Sequence, residues 1–411
     1  MKIVHLSTSD LGGAYKAVER IHKGMLLIGI ESTILLRNKY HDDSTGVQVI
    51  NGSFESLLSK TKNVFNIIRS SGKIVSDYYG TDMSKHPIVR DADAIFVHWC
   101  NSFISYNGIK KLIGLNKPTF IVAHDMWYWT GGCHLDEYCG RYIFECTDCP
   151  MLSKGKKKIA IKNYQIKKEI LRNITFVCPS EWSATVARLS SIGVNNQIFR
   201  IYNPIDYNIF HPIDKVSKES LIIKYGVSSN SKKIVLFGAH LALENEMKGS
   251  YDLKEVVKRL DANSIQLVVY GNRDGEYIKD NPLDTTYLGY IKDENVMAEV
   301  YSMADVFLTP SSQESFGYTI CEALACGTPV VAYATSGITE QVVHKKNGYL
   351  AEYGKTDDLM EGIDYCIRFI NKEVNRGDEI KGLSFLNNDL VSSAERYKKV
   401  VENEIMVRNK R

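Results

Sequence analysis

An α/β fold with parallel sheets, built as two successive domains, is predicted by three observations. Short apolar runs alternate with helix-period stretches along the whole chain, which is the pattern of strand–helix–strand units whose sheets are covered on both faces. The alternation begins twice, at residues 2–7 and again at residues 233–239, on either side of a polar stretch that carries Pro212. The chain has 411 residues, more than one hydrophobic core usually serves. The expected boundaries are a first domain at 1–205 with a cysteine-rich loop at 130–150, a linker at 206–230, a second domain at 231–388 and a terminal helix at 389–411.

Hydrophobic residues make up 44% and charged residues 24%, the balance of an ordinary soluble globular protein rather than of a disordered or membrane-embedded one. The 51 basic and 48 acidic residues leave a net charge of only +3, too little to imply a nucleic-acid partner through bulk charge. No apolar run approaches the roughly 20 residues that span a bilayer. The opening MKIVHLSTSD goes straight into a strand-like run without a signal peptide's apolar core. A cytoplasmic location is therefore expected.

In the first domain, residues 2–7 read as a buried strand that leads through Gly12-Gly13-Ala14 into a helix. Its apolar positions are Ala17, Val18, Ile21, Met25 and Leu26, and it ends near Gly29. Gly-Gly-Ala lacks the spacing of a dinucleotide fingerprint, so taken alone it is a plain strand-to-helix turn. Residues 40–90 carry no site signature. Residues 94–99 and 118–123 are further strands; the second delivers His124 at its carboxyl end, where open α/β sheets bind ligands. His98 ends the other strand and is a weaker candidate, for an acceptor. Each histidine has a bland alternative, satisfaction by neighbouring backbone. Asp91-Ala92-Asp93 is the one Asp-x-Asp match, but it precedes its strand, at the wrong end for a ligand site, so no catalytic metal is expected.

Cys133, Cys139, Cys146 and Cys149 fall within seventeen residues, with five, six and two positions between them. In a chain read as cytoplasmic, four thiols in one short loop suit a structural zinc better than disulfides, with His134 able to replace one ligand. Incidental free cysteines are the alternative, since only the final pair has familiar zinc spacing. Residues 154–172 interleave lysines with Ile159, Ile161, Ile166, Ile170 and Leu171. This suits a basic amphipathic helix resting on anionic lipid, or more commonly a core-facing helix with a solvated lysine face.

In the second domain, Met247-Lys248-Gly249 precedes a helix, and a lysine beside a helix N-terminus suits a diphosphate. Tyr287-Leu288-Gly289-Tyr290-Ile291 follows a strand at 265–270. Most of the readable chemistry lies in TPSSQESFGYTICEALACGTPVV, residues 309–331. A buried strand leads into a loop with Glu314, then Phe316-Gly317-Tyr318-Thr319, then a helix carrying Glu322. The helix start offers unpaired N–H groups to an anion, and Gly317 lets backbone approach a ligand. Two carboxylates would repel that anion unless they hold hydroxyl groups. A nucleotide-sugar, with phosphates between two polyols, meets all three conditions. The plain alternative is a buried helix with a solvated glutamate at each end.

Glu314 and Glu322, with the flanking ADVFLTPS and EALACGTPVVA, closely resemble the glutamate pair of glycosyltransferase family 4. The match is strong over residues 231–352 and thinner over residues 1–210. The resemblance implies the GT-B fold: two facing Rossmann-like domains, with a C-terminal helix that crosses back to the first. It implies a retaining transferase that moves a hexose-type sugar from a nucleoside diphosphate to a hydroxyl of a glycan acceptor. The usual setting is assembly of capsule, exopolysaccharide or lipopolysaccharide on a lipid-linked acceptor, in the cytoplasm or at the inner face of the plasma membrane. By the same resemblance Glu314 holds the donor sugar, Glu322 the ribose, and Phe316, Gly317, Tyr318 and Thr319 the diphosphate. Lys248 and the amides of Gly12 and Gly13 stabilise the leaving group, Tyr290 lies near the base, and His124 lies near the reacting carbon. The family usually has an arginine where this chain has Ala239-His240, which leaves Lys248 as the main cation and an inactive relative as one alternative. The cysteine loop resembles a bacterial subgroup with Thr-Gly-Gly-Cys-His. Two other classes compete: a GT-B nucleotide-sugar epimerase, and a protein binding nucleic acid through Cys133 to Arg172.

Overall fold

The computed structural model describes residues 1–40, 46–50, 73–212, 215–228, 231–273, 277–370 and 387–409. Most of the featureless stretch at 51–75 and parts of the expected linker lie outside them. The strands are β1 (Lys2–Ser9), β2 (Glu31–Asn38), β3 (Val47–Val49), β4 (Ala94–Val97), β5 (Thr119–Val122), β6 (Thr175–Cys178), β7 (Gln197–Arg200), β8 (Lys233–Gly238), β9 (Ile265–Tyr270), β10 (Thr285–Tyr287), β11 (Val306–Thr309), β12 (Val330–Tyr333) and β13 (Gly348–Ala351). The helices are α1 (Gly12–Leu27), α2 (Pro87–Asp91), α3 (Tyr106–Ile113), α4 (Lys158–Ile170), α5 (Glu181–Leu189), α6 (Lys215–Lys224), α7 (Ser250–Val257), α8 (Glu294–Met303), α9 (Tyr318–Ala325), α10 (Thr356–Tyr365) and α11 (Leu390–Asn409).

The chain divides into two compact units, Met1–Pro204 with Asn388–Arg411, and Ile205–Asn387. The first holds a seven-stranded sheet in the order β3-β2-β1-β4-β5-β6-β7, the second a six-stranded sheet in the order β10-β9-β8-β11-β12-β13. Every strand pairing is parallel. Strands β4, β5, β6, β11 and β12 are buried at every position, which explains their uninterrupted apolar sequences. The strand order reverses at β1/β4 in the first unit and at β8/β11 in the second. A crevice opens at the carboxyl ends of the strands at such a point. Both units are Rossmann-like, and the architecture is that of GT-B proteins.

Helix α11 covers the first unit's sheet. Ala394, Tyr397 and Val401 share a buried cluster with Ile3, Phe96, Phe120 and Val177, and the Tyr397 ring lies 5.6 Å from that of Phe96. Asn388 ties the chain back by donating from Nδ2 to the carbonyl of Asn203 at 2.7 Å.

Two expectations change. The stretch read as a linker contains α6, which belongs to the second unit: Lys218 pairs with Asp305 at 3.1 Å and Lys224 with Glu299 at 2.5 Å. The basic run at 154–172 does not save an apolar face for lipid. Ala160 and Tyr164 of α4 are buried, and Ile159, Ile166 and Ile170 pack on the first unit's core, so the lysines other than Lys167 face outward. Among the described residues no helix is long and apolar enough to cross a membrane.

Candidate functional site

Lys248, Glu314 and the residues that open α9 lie in the segments that follow β8 and β11, the two strands of the switch, whereas Tyr290 follows β10 at the sheet's edge. After β11 the chain turns through Pro310 to Glu314. Met247 of the preceding loop accepts at its carbonyl from Ser312 N at 3.0 Å, while Asn245 Oδ1 accepts from Met247 N at 3.1 Å. Gly249 closes that loop at φ +78°, and a Cβ there would stand 2.2 Å from the Pro310 carbonyl oxygen, so only glycine lets the two loops touch. This contact brings Lys248 to Glu314: Nζ donates to Oε1 in an ion pair that is only partly exposed. Glu314 is fixed by its backbone as well. Its N–H donates to Ser336 Oγ at 2.8 Å and its carbonyl accepts from Gly337 N at 3.0 Å.

Gly317 sits at the cap position of α9 with φ +88° and no side-chain cap. Gln341 donates from Nε2 to the Phe316 carbonyl and, at 3.4 Å, to that of Gly317. With its carbonyls held from behind, the Phe316–Gly317 turn starts α9 without a side-chain cap, and the start of a helix is the end that favours an anion. Phe316 itself is buried, its ring 5.4 Å from that of the half-buried Tyr318, so its side chain packs and only its backbone remains a candidate contact. Thr319 is half-buried on the first turn. Glu322 is 2% exposed and accepts from Tyr301 Oη at 3.2 Å, and Tyr301 in turn meets Tyr270 Oη at 2.9 Å. Burial of this depth removes the solvated-glutamate alternative for Glu322. Tyr290 is 62% exposed beside Gly289, whose carbonyl accepts from Gly271 N at 2.6 Å.

In the first unit Gly12 and Gly13 are exposed at the start of α1, which has no side-chain cap. A Cβ on either would meet nothing within 4 Å, so these glycines leave an open helix start rather than a tight packing contact. His124 follows β5 at the carboxyl end of the sheet and is half-buried. Its Nε2 lies 2.9 Å from His98 Nδ1, and His98 Nε2 lies 2.9 Å from His5 Nδ1. His98 is fully buried, so the acceptor contact expected of it does not hold. Register explains the row: His5 pairs with Phe96 and Phe96 with Phe120, so the histidines step two residues further along each successive strand on one face of the sheet. Burial keeps all three imidazoles neutral, lowering His124 to about 4 and the other two well below the ordinary histidine value.

Asp125 points elsewhere. Its carboxylate accepts from His134 Nδ1 at 2.7 Å and from Trp127 N at 2.8 Å. Burial opposes the charge on His134, yet the Asp125 carboxylate raises its pKa. His134 is thus a partner of Asp125 and not a replacement metal ligand. Asp91 and Asp93 lie at the amino end of β4, where Lys2 donates to Asp91 from Nζ and to Asp93 from its backbone, both at 2.7 Å.

The cysteine loop corrects another expectation. Cys133, Cys146 and Cys149 are buried in the first unit's core, Cys139 is half-buried, and all are free thiols. Among the described residues no group of three or more His, Cys, Asp or Glu side chains is placed to hold a metal ion. Burial pushes the Cys133 and Cys146 thiols up to about 12, and Cys146 Sγ accepts from Gly131 N at 2.9 Å. The buried cation beside it, Lys167, was not foreseen. Burial lowers it to about 8 against the pull of Cys146, Cys133, Asp77 and Asp125, and its ammonium donates to the Trp127 carbonyl, 4.1 Å above that ring.

Residues 221–405 match the model of the family Glycosyl transferases group 1. A 190-residue segment is 30% identical to N-acetyl-alpha-D-glucosaminyl L-malate synthase of Bacillus anthracis, covering 44% of this chain and 46% of that protein. Another, of 175 residues, is 27% identical to D-inositol 3-phosphate glycosyltransferase of Mycobacteroides abscessus, covering 40% and 37%. The chain thus spans about half the length, or less, of these curated relatives. Among solved structures, Anabaena Alr3699/HepE in complex with UDP and glucose aligns with a TM-score of 0.66 at 17% identity, over 98% of this chain and 99% of that one. WaaG, a glycosyltransferase involved in lipopolysaccharide biosynthesis, aligns with a TM-score of 0.64 at 14% identity, over 97% and 99%. These structural likenesses show the fold.

Proposed function

We propose that the chain is a retaining glycosyltransferase that moves a hexose-type sugar from a nucleoside-diphosphate-sugar to a hydroxyl of a glycan acceptor. The observation that carries this reading is the pairing of Lys248 with Glu314 beside the uncapped start of α9, with Glu322 buried one turn on. The match of residues 221–405 to a glycosyltransferase family and the UDP held by Alr3699/HepE support it. The acceptor class we propose is a growing cell-surface polysaccharide, lipid-linked as such chains commonly are, with the enzyme acting in the cytoplasm.

In this mechanism the amides opening α9 take the diphosphate, as helix starts do. Lys248 leaves Glu314 to balance charge on the departing phosphate. Such preorganised charge is worth most where it develops during bond cleavage. Glu314, released from the lysine, binds a sugar hydroxyl and fixes the anomeric carbon, which removes orientational freedom before the barrier. Glu322 holds the ribose. His124 stands at the first unit's strand ends as a neutral hydrogen-bonding group for the donor sugar.

The test is release of nucleoside diphosphate from a panel of activated sugars, with and without glycan acceptors, and proton NMR of the new anomeric centre. Acceptor-dependent release with retained configuration is expected. An epimerase would convert the donor with no acceptor present, and an inverted product would refute the retaining assignment.

A further inference from the structure

The row His5–His98–His124 is longer than contact with a substrate requires, and its inner end is closed. His5 Nε2 is buried and carries no hydrogen bond. Its ring is walled by Phe96, edge-on at 5.1 Å, and by His22 of α1 at 6.3 Å, and His22 Nδ1 is engaged with Ser32 Oγ at 2.8 Å. At the outer end Nε2 of His124 is taken by His98, leaving Nδ1 as the ring nitrogen with no partner among the described residues. Adjacent rings stack at 5.2 Å, with interplanar angles of 26° and 13°.

Three neutral imidazoles hold one N–H each. Each of the two ring-to-ring bonds needs one donor and one acceptor, so the row has only two consistent states. In one, every ring is protonated on Nε2, and His5 leaves a bare N–H in the core. In the other, every ring is protonated on Nδ1, the core keeps only an unused lone pair, and His124 offers Nδ1–H outward. Orphaned buried N–H groups are the rarer kind. Changing state would require a proton to enter at His5 Nε2, where nothing donates one. The row is therefore a lock and not a conducting wire.

We propose that His98 and His5 are positioning residues that hold His124 in the single Nδ1–H tautomer, so that it presents a donor to an oxygen of the bound sugar. The ligand named here rests on the transferase reading; the tautomer lock itself does not. His124 consequently serves as a donor to a substrate oxygen and not as a base that collects a proton.

The test is histidine-selective 15N labelling of the full chain, with long-range proton–nitrogen correlations to read each ring near pH 7.5. Protonated Nδ1 and unprotonated Nε2 at His124, His98 and His5 are expected. Protonated Nε2 at His124, or averaging between its tautomers, overturns the proposal. A second arm compares His98→Phe with His98→Gln, which retains a donor and an acceptor. In the folded protein, His98→Phe should leave His124 averaging between tautomers and lower sugar transfer roughly tenfold, the size of a lost supporting contact. Nucleotide affinity should be unchanged, and His98→Gln should recover part of the rate. A folded His98→Phe with one tautomer and full turnover overturns the proposal. Absence of sugar transfer in the wild type would sink the transferase reading alone, since the nitrogen spectra decide the lock independently.

Discussion

Lys248 and Glu314 are 66 positions apart in sequence and form an ion pair in the second unit. The pair is partly exposed, so it contributes at most about 1 kcal/mol to folding; in the proposed mechanism its value lies in placing one cation and one carboxylate near the uncapped start of α9. Glu314→Gln should therefore lower the unfolding free energy by less than about 1 kcal/mol. Turnover should fall by roughly 100-fold or more, since a preorganised polar contact to the reacting sugar is lost. Rates of nucleoside diphosphate release, read beside urea unfolding of both proteins, check both halves. A normal rate in the variant would remove Glu314 from the site. Cys133 and Cys146 make the opposite case: their sequence spacing suggested a metal, while the fold buries both in the first unit's core and, among the described residues, assembles no group of three or more ligands around one point.

At the level of elements, α11 is the piece whose loss should cost most. Tyr397 is 1% exposed and lies in the same cluster as Phe96 and Phe120. Tyr397→Ala should destabilise the first unit by about 3–5 kcal/mol, as other large-to-small changes at aromatic core positions do, and denaturant unfolding measures it. Strands such as β4, β5, β11 and β12 were legible because burial on both faces leaves an unbroken apolar run. The order of strand, turn and helix from β11 to α9 was legible because Pro310 ends an unbroken apolar run and Gly317, at φ +88°, opens the helical pattern that follows. The histidine row was not legible. Its members come from β1 and from the ends of β4 and β5, and only sheet register brings them onto one diagonal. A histidine in or just after each of three central strands was the available signal. Helix α6 was missed because Pro212 and the polar residues around it mask a short helix whose partners, Asp305 and Glu299, lie far along the sequence. In α4, the interleaved lysines hid the fact that Lys167 is buried with the core face.

For the molecule as a whole, buried titratable groups set the response to acid. The folded pKa of His5, His98 and His124 is lowered, so as pH falls from 6.5 towards about 4 the unfolded chain takes up protons that the folded chain refuses. Stability is lost through that window, at up to about 1.4 kcal/mol per pH unit for each histidine. Asp77 opposes them. Burial raises it to about 6, so it contributes stability below its unfolded value of 3.8 that is lost as pH rises through about 6. Three imidazoles outweigh Asp77 below pH 6.5, where His134 no longer changes its contribution, and unfolding midpoints taken between pH 6.5 and pH 4.5 should fall. His134, whose folded pKa is raised, contributes stability that is present below pH 6.5 and lost on the alkaline side.

The functional account stands on nucleotide recognition by the second unit, where Lys248, Glu314 and the start of α9 meet. Thermal unfolding of the whole chain with a panel of nucleoside diphosphates and their sugars tests this most directly. A ligand at a hundredfold excess over its Kd stabilises the native state by about 2.7 kcal/mol. The predicted result is a rise in the second unit's unfolding transition with one nucleoside diphosphate and its sugar, abolished in Lys248→Ala. No shift with any nucleotide at millimolar concentration, or a full shift retained in Lys248→Ala, would contradict the account.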